Sequence, residues 1–537
     1  MLVKTAVDVK KDNEQSSMRR QTPPLLKPWA LKPWESRHWI PPHTWTFPDN
    51  SLMESLVSLY FLNVNCFIPV LHRPIFEECL KHRLHMSHPG FGTVVLLVCA
   101  LGSLYLTGPD PTKVDRETMA WKWYNQVEMC GHFLCQLPTL YDLQAYCLAA
   151  QFLHCTSNPR FAWIIVGFAL RLVQDVALHR GKPRGPTITA DEELEKRALW
   201  TLLFLDTQIS GFLGRYAALD VVEIDISLPC ECDDDYWRSS GPGFQPPDKP
   251  SVLAFFNCLL QLYRIFHFTI RSLYTTRASH LRSRTINDLP DIAMELDSAL
   301  DKWFCTIPEH LLWNQDQSSS LFFDQSAVLN CFYCYTRILI NRPSIPGLFS
   351  MPPPSFENPI ALEICVEAAR SCIEVADTHR QRRSDSCYPL FFSQGPVFTA
   401  ATILIIGHWS HSNEQPEAID DLALVRTAIN IFHTQQERWP SSEFYATVLE
   451  RLISIEGNSQ AQLDYHNSLP VQPDLHTSSD WIRGHSALSR VTAPIWTEGQ
   501  MVDEEALDDA PQVAIPPAFV GDEEIIPRQA RRPRVIG

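Results

Sequence analysis

The sequence has little glycine and lacks the common motifs of nucleotide and hydrolytic chemistry. It contains only 20 glycines in 537 residues, below the usual share of about 7%. Folds that use glycine heavily in turns, bulges and phosphate loops are therefore disfavoured. No G-x-x-x-x-G-K-[ST], G-x-S-x-G, H-E-x-x-H or G-x-G-x-x-G pattern occurs. These absences argue against P-loop NTPases, α/β hydrolases, zincin proteases and dinucleotide-dependent enzymes.

Signals for secretion or membrane insertion are also missing. No apolar signal region follows Met1, no N-x-[ST] acceptor occurs, and the 16 cysteines show no disulfide framework. The longest nearly apolar run, Phe91 to Leu106, is interrupted by Thr93 and Ser103, whereas a bilayer-spanning helix needs about 18 apolar residues. We therefore expect an intracellular chain with reduced thiols and no membrane partner.

The chain carries an excess of negative charge. Its formal net charge is −16, so we expect it to be a poor unaided ligand for DNA phosphates.

Composition divides the chain into three parts. Residues 1–48 hold seven prolines and the near-repeat Lys27-Pro28-Trp29, Lys32-Pro33-Trp34, which favours a mostly disordered linker. Residues 49–457 show helical periodicity. Residues 458–537 mix acidic and apolar residues and end in an arginine cluster, which is typical of a disordered acidic-hydrophobic tail.

The periodicity of the middle part predicts an all-α fold. Strand-like alternation is scarce, and Leu219 to Leu228 is the best extended candidate. The predicted helices cover residues 51–65, 92–106, 117–135, 139–154, 158–181, 189–214, 251–279, 291–305, 322–341, 361–378, 394–411 and 418–435.

Two of these helices carry end signals. Asn158 can cap the helix that begins at Pro159, and Gly181 suits its end. Thr189 and Glu192 form a capping-box pattern at the start of the next helix.

Polar residues inside these two helices need partners if they are buried. Asp206 interrupts an apolar face, and Arg171, Arg197 and Arg215 are its candidate partners. Arg171 is also spaced to pair with Asp175. We expect these charges to hold the shape of one inert helical body, without a cavity lined by converging carboxylates.

Several residue groups resemble metal sites. Cys331 and Cys334 form a C-x-x-C, but they lie in an apolar helical run, so we interpret them as core residues. Cys230 and Cys232 lack further ligands nearby. His82, His85 and His88, like His408 and His411, are spaced three apart, and we interpret both sets as solvated helix ends.

A magnesium-dependent terpenoid cyclase is a remote alternative. Asn287, Asp288 and Glu295 fit part of that class's second metal motif, and Asp233 and Asp234 begin its first. Asp291 and Trp237 occupy positions that those motifs give to other residue types, and the two motifs lie too close together. We therefore predict no catalytic residues and no enzyme activity.

Several stretches in order resemble the fungal-specific transcription factor domain, the regulatory domain that usually follows a binuclear zinc cluster. They are YFLNVNCFIPVLHRPIF, AWIIVGFALRLVQDVALHR, RALWTLLFLDTQISGFLGR with the following DISLP, and the weaker YCYTRILINRP. The best-matching core covers residues 60–343. The residues that carry the resemblance are Pro69, His72, Arg73, Pro74, Phe76, Gly167, Arg171, Asp175, His179, Arg180, Trp200, Asp206, Gly214, Arg215, Asp225 and Pro229.

We predict structural roles for these motif residues. Gly167 would permit a close helix crossing, and Arg171, Asp206 and Arg215 would form buried polar ties.

The zinc cluster that the resemblance implies has no counterpart in this sequence. The family's cluster needs six closely spaced cysteines for two zinc ions, but no cysteine precedes Cys66. We expect either a fragment of a longer DNA-binding regulator or a relative without the cluster. Zinc would be a cofactor only if a missing N-terminal cluster exists.

The resemblance implies a nuclear transcription regulator acting with RNA polymerase II. Its expected partners are the transcription machinery or coregulator proteins, a small-molecule inducer, and a second copy as a homodimer. DNA would be reached only through a missing zinc cluster or a partner. The alternative is a non-catalytic cytosolic helical scaffold.

Overall fold

The computed structural model describes residues 45–106, 116–129, 137–156, 159–181, 189–237, 241–274, 289–345, 358, 360–383, 388–410 and 416–454. Within these residues the chain has fourteen α-helices, short 3-10 turns and no β-strand, so the all-α prediction is confirmed. The predicted linker 1–48 lies outside the described residues except for its last four, and the predicted tail 458–537 lies outside them entirely. The two predicted boundaries between the three parts stay predictions.

The helices follow one another along the chain with connections of varied length. They are α1 (Asn50–Tyr60), α2 (Arg73–Lys81), α3 (Pro89–Ser103), α4 (Arg116–Tyr124), α5 (Leu140–His154), α6 (Pro159–Asp175), α7 (Ala190–Leu213), α8 (Leu253–Leu273), α9 (Leu289–Phe304), α10 (Ser320–Asn341), α11 (Ala361–Arg382), α12 (Tyr388–Ser410), α13 (Pro416–Gln435) and α14 (Pro440–Ser454). Helix α1 continues into a π-helical turn at Phe61–Asn65.

The capping box at the start of α7 is confirmed. The Glu192 backbone N–H donates to Thr189 Oγ1 at 3.2 Å, and the Thr189 N–H donates to Glu192 Oε2 at 3.0 Å. These two bonds satisfy donors that a helix start leaves unpaired. Asn158 lies outside the described residues.

Two local predictions differ from the structure, besides the helix predicted at 117–135, which ends at Tyr124. Helix α6 ends at Asp175, because Ala177 takes a left-handed φ of 54° and Leu178–Arg180 forms a 3-10 turn. The segment from Leu219 to Leu228 forms a 3-10 turn at Val221–Glu223 and no strand. Both differences arise where short hydrogen-bonded turns replace the regular pattern.

The buried apolar residues form two main clusters that share α10. The first cluster joins α1 to α8 with parts of α9 and α10, and the second joins α10 to α14. Val328, Leu329 and Phe332 face the first cluster, while Cys331 and Cys334 face the second. Helix α10 is therefore a common wall, buried on opposite sides.

Helices α1 and α3 cross closely at Gly102. A Cβ on Gly102 would lie 2.2 Å from the Leu56 carbonyl oxygen, so only glycine fits there. At Gly167, where the sequence suggested a close crossing, the nearest atom is Ala218 Cβ at 3.8 Å from an added Cβ. That prediction was wrong, because an ordinary van der Waals contact leaves room for a side chain.

Helix α8 is the one described helix long and apolar enough to cross a membrane by length and composition. Its apolar window is 72% buried inside the protein, as in the core helix of a soluble fold, so length and composition here are weak indications of a membrane span.

Candidate functional site

The segment before α2 is shaped by Asn65 and His72. The Leu71 N–H donates to Asn65 Oδ1, and Asn65 Nδ2 donates to the Leu71 carbonyl, each at 3.0 Å. His72 then caps α2, because its Nδ1 accepts from the Ile75 N–H at 3.3 Å. Pro74 stands in the first turn, where its missing N–H costs nothing.

Phe76 anchors this helix start to the first core. Its ring centroid lies 5.7 Å from Phe61 and 5.4 Å from Phe91, and its side chain is buried. Thus His72 caps α2, Pro74 stands at its start and Phe76 anchors it to the core.

Four side chains meet in a group that we term the Asp234 cluster. They belong to His72, Arg197, Asp234 and Trp237. Asp234 Oδ1 accepts from Arg197 at 3.1 Å, and Asp234 Oδ2 accepts from the backbone N–H of Arg73 at 2.8 Å. The Trp237 ring lies 4.2 Å from the His72 ring and 4.7 Å from the Arg197 guanidinium. One carboxylate therefore joins α2 and α7 to the loop before α8.

The protonation state of His72 follows from its neighbours. Its Nδ1 must accept from Ile75, so its Nε2 carries the hydrogen and donates to the Asp234 carbonyl at 3.2 Å. Burial lowers the pKa of His72, although the Asp234 carboxylate opposes that shift. The imidazole is therefore held neutral as a fixed connector.

Buried charges on α7 hold the loop that carries Asp234. Glu193 Oε1 accepts from the Cys230 N–H at 2.6 Å, and Glu193 Oε2 pairs with Lys196 Nζ at 2.7 Å. Arg197 also donates to the Cys232 carbonyl at 3.5 Å. Glu193, Lys196 and Arg197 are almost fully buried, so each depends on these partners.

Asp233 fixes the other end of the same loop. Its Oδ1 accepts from Ser251 Oγ at 2.7 Å and from the Val252 N–H at 2.9 Å, while its Oδ2 accepts from Gln245 at 3.2 Å. These bonds place the start of α8 beside the Asp234 cluster.

A cavity of about 510 Å³ opens between the start of α2 and this loop. Its lining comprises Phe61, Asn65, Cys66, Pro69, Arg73, Pro74, Glu77, Asp233, Asp234, Asp235, Val252 and Leu253. Four carboxylates thus face one guanidinium, and Arg73 already pairs with Glu77 at 2.7 Å. The lining favours a neutral or cationic small molecule over an anion.

The expectation of a body without such a cavity was wrong. Asp233 and Asp234 both line the cavity, although their oxygens also accept hydrogen bonds from the backbone and from Arg197 on α7. Pro69, Arg73 and Pro74 were identified from the sequence as motif residues, whereas Asp233 and Asp234 were considered only for magnesium.

Asp206 has a different partner from the predicted arginines. Its Oδ2 accepts from the backbone N–H groups of Ala218 at 2.6 Å and Leu219 at 3.3 Å. Desolvation raises the pKa of Asp206 to about 7. Gly214 ends α7 with a φ of 65°, which turns the chain so that these amides reach the carboxylate.

The three candidate arginines serve elsewhere. Arg197 belongs to the Asp234 cluster, Arg171 donates to Gln174 at 2.9 Å, and Arg215 lies 5.2 Å from the centre of the Trp163 ring. Arg171 and Arg215 are exposed, so the predicted buried ties do not form there.

The remaining motif residues tie the ends of α6 and α7 to the following loop. Trp200 Nε1 donates to the Ser227 carbonyl at 3.0 Å, and the Asp225 N–H donates to the His179 carbonyl at 2.9 Å. The Pro229 carbonyl accepts from Asn257 at 3.1 Å.

Two further motif residues, Asp175 and Arg180, are exposed at the end of α6 and in the turn that follows it.

The cysteines do not fit a zinc site. Cys331 and Cys334 are buried in the second core, as predicted, and burial raises the pKa of Cys334 to about 12. Zinc binds thiolates, which this environment disfavours. Burial also raises the pKa of Cys230 and Cys232. In the described part of the chain, no group of three or more His, Cys, Asp and Glu side chains could hold a metal ion.

The three histidines before α3 have separate roles. His88 caps α3 by accepting from the Phe91 N–H at 3.2 Å, and His85 packs against Phe47 with ring centroids 4.8 Å apart. His82 Nδ1 lies 2.9 Å from the Glu78 carbonyl. The prediction of solvated helix ends was wrong for His85 and for His408 in α12, because both side chains are buried. His411 lies outside the described residues.

Only part of the second magnesium motif lies within the described residues. Glu295 is exposed on α9, and Asn287 and Asp288 lie outside the described residues. Asp233 and Asp234 of the first motif are engaged by the loop and by Arg197.

Comparison with known families finds a match in the helical part of the chain. Residues 57–304 match the model of the fungal specific transcription factor domain. The resemblance drawn from the sequence is confirmed, because this match covers most of the core that carries it. The matched region includes the whole Asp234 cluster and the residues that line the cavity.

Curated relatives carry regulatory names. The chain is 26% identical over 353 residues to the transcriptional activator protein acu-15 of Neurospora crassa, covering 64% of this chain and 36% of that protein. It is 23% identical over 389 residues to the thiamine repressible genes regulatory protein thi1 of Schizosaccharomyces pombe, covering 68% and 46%. An ABC-transporter-regulating transcription factor of Aspergillus oryzae is 25% identical over 260 residues, covering 47% and 28%.

The chain thus spans about a third to a half of the length of the first two relatives. No solved structure matches it significantly.

Proposed function

We propose that this chain regulates transcription in a fungal nucleus, with its helical body as the regulatory part of a DNA-bound assembly. The observation that carries the proposal is the match of residues 57–304 to the fungal specific transcription factor domain. The regulatory names of the relatives support it. The proposed partners are coregulators or the transcription machinery, and a second copy of the chain. DNA would be contacted through a zinc-cluster segment or a partner.

A non-catalytic role is part of the proposal. The polar groups around the cavity support it, because Asp233 and Asp234 use their oxygens to hold backbone and guanidinium donors. Carboxylates that are committed in this way are poor candidates for proton transfer.

A reporter assay tests the proposal. The full chain is fused to a heterologous DNA-binding domain and directed to a promoter in yeast, and reporter output is compared with that of the DNA-binding domain alone. We expect a change in output, in either direction. An unchanged reporter, with the fusion present in the nucleus, contradicts regulation of transcription. Steady cytosolic residence of the tagged chain supports the scaffold alternative.

We further propose that the cavity accepts a small effector of neutral or positive charge. Phenethylamine and phenylpropionate are a matched pair of probes, since both carry a phenyl ring and they differ in charge. We expect the amine to raise the melting temperature more than the acid, and Asp235→Asn to reduce that difference, because Asp235 is an exposed carboxylate of the lining. Equal stabilisation by both probes contradicts a charge-selective cavity.

A further inference from the structure

Helix α6 presents an apolar outer face. Its inner positions, among them Ala162, Val166 and Ala169, are fully buried against the core. On the opposite side Phe161 is 49% exposed and Ile164 is 47% exposed. The outer face of a surface helix is normally polar, so these two residues require an explanation.

The loop after α7 extends this face. Arg215 stacks on Trp163 at 5.2 Å, and Ala218 is the nearest neighbour of Gly167. Trp163 Nε1 donates to Ser210 Oγ at 3.0 Å, which fixes the indole beneath the guanidinium. Tyr216, which lies between the two contact points, is 70% exposed.

Exposed arginines stand on the same segments as these apolar residues. Arg160, Arg171 and Arg215 are all exposed, and Asp175 is the exposed carboxylate at the far end of α6. This local excess of positive charge stands out in a chain of net charge −16. We term Arg160, Phe161, Ile164, Arg171, Arg215 and Tyr216 the arginine-rimmed face.

We propose that the arginine-rimmed face docks an acidic amphipathic helix of a partner protein. Aromatic and aliphatic anchors at helical spacing would cover Phe161, Ile164 and Tyr216, and the carboxylates of the partner would reach the three guanidinium groups. Helix recognition commonly combines an apolar stripe with complementary charge at the rim. The charge complementarity is what identifies the occupant.

A second copy of the chain is a poorer occupant, because a twofold axis through this face would bring like-charged arginines together. Nucleic acid is also disfavoured, because the centre of the face is apolar and the whole chain is acidic.

The test uses the full chain and two synthetic helical peptides. The first peptide carries Leu and Phe at positions i, i+3, i+4 and i+7 with Glu at the positions that flank this stripe, and the second replaces every Glu by Lys. Binding is measured by fluorescence anisotropy at low and high salt. We expect the acidic peptide to bind, its affinity to fall with salt, and the lysine peptide to bind at least about tenfold more weakly.

Variants locate the binding surface. We expect Arg160→Glu with Arg171→Glu to weaken binding of the acidic peptide by about tenfold, and Ile164→Asp to weaken it by a similar factor. Arg426→Glu is the matched control, because Arg426 is an exposed arginine on α13, and it should bind like the unmodified chain. Phe161→Ala repeats the test with a milder change, and circular dichroism verifies folding of each variant.

Several results overturn the proposal. One is that the acidic peptide does not bind the folded chain. The others are that the lysine peptide binds as tightly as the acidic peptide, or that Arg426→Glu loses as much binding as the variants of the arginine-rimmed face. Self-association of the chain that Ile164→Asp abolishes assigns the face to a second copy instead. Displacement of the peptide by duplex DNA, with loss of that DNA binding in the arginine variants, assigns it to nucleic acid.

Discussion

Removing the Asp234 side chain tests whether the Asp234 cluster holds the fold together. Arg197 is fully buried, whereas the Asp234 side chain is 19% exposed. Asp234→Ala removes a charged hydrogen bond to Arg197, worth about 1.5–3 kcal/mol. It also removes the acceptor for the Arg73 N–H at the start of α2, which is worth about 1 kcal/mol. Water that enters at the exposed side of position 234 offsets part of this cost. We therefore expect the free energy of unfolding to fall by about 3 kcal/mol.

The assay is urea unfolding followed by far-ultraviolet circular dichroism. A loss of that size is a large part of the roughly 5–15 kcal/mol that stabilises a typical domain, so the midpoint should fall clearly while the slope stays unchanged. Asp235→Ala is the matched control. Asp235 is the exposed neighbour, and its loss should change stability by less than about 0.5 kcal/mol.

A second substitution separates the buried charge from general damage. In Asp234→Ala with Arg197→Met, the unpaired guanidinium is gone and an apolar side chain of similar length replaces it. We expect the double variant to recover at least about 1 kcal/mol relative to Asp234→Ala. The reasoning is refuted if Asp234→Ala is no less stable than Asp235→Ala, or if the double variant loses the sum of both single effects.

Two further predictions concern α6, α7 and the crossing of α1 with α3. Gly102→Ala should destabilise by about 1–3 kcal/mol in urea unfolding, because its Cβ would meet the Leu56 carbonyl, whereas Gly167→Ala should be neutral or stabilising. Equal effects would contradict the close crossing. Burial raises the pKa of Asp206 in the folded chain to about 7 from the ordinary value of 3.8, so its contribution to stability is present at low pH and is lost as pH rises to about 7. The stability of Asp206→Asn relative to the unmodified chain should therefore rise by up to about 1.4 kcal/mol per pH unit across that interval and then level off. A pH-independent difference between the two would show that burial does not perturb Asp206.

Local patterns were sufficient to predict most of the helices. The helix predicted at 322–341 corresponds to α10 (Ser320–Asn341), and the one predicted at 189–214 corresponds to α7 (Ala190–Leu213). Their caps and apolar repeats lie within one stretch of chain, so the sequence alone contains the necessary information.

Helices α2 and α14 had no separate prediction, because α2 has only nine residues and both helices begin at or next to a proline, which a sequence presents as a break. Their helicity depends on packing, which local propensity does not report.

The candidate site was predictable only in part, because its contacts join distant parts of the chain. Arg73 and Asp234 are 161 residues apart, and Arg197 and Asp234 are 37 apart. The motif around Pro69, Arg73 and Pro74 identified one wall of the cavity by resemblance. The opposite wall, Asp233 to Asp235, has no local signature beyond a run of carboxylates, which usually indicates a solvated loop.

A stronger signal for the site was present in α7. Glu193, Lys196 and Arg197 stand on a helix that is otherwise apolar through its middle, and all three are nearly fully buried. Charges at such positions are costly unless partners satisfy them, so their presence implies a polar segment that must cross that face of the helix. The segment from Cys230 to Asp234 supplies the partners. Buried charge on an apolar helix therefore indicates where a loop is held, and in this protein that loop forms one wall of the cavity.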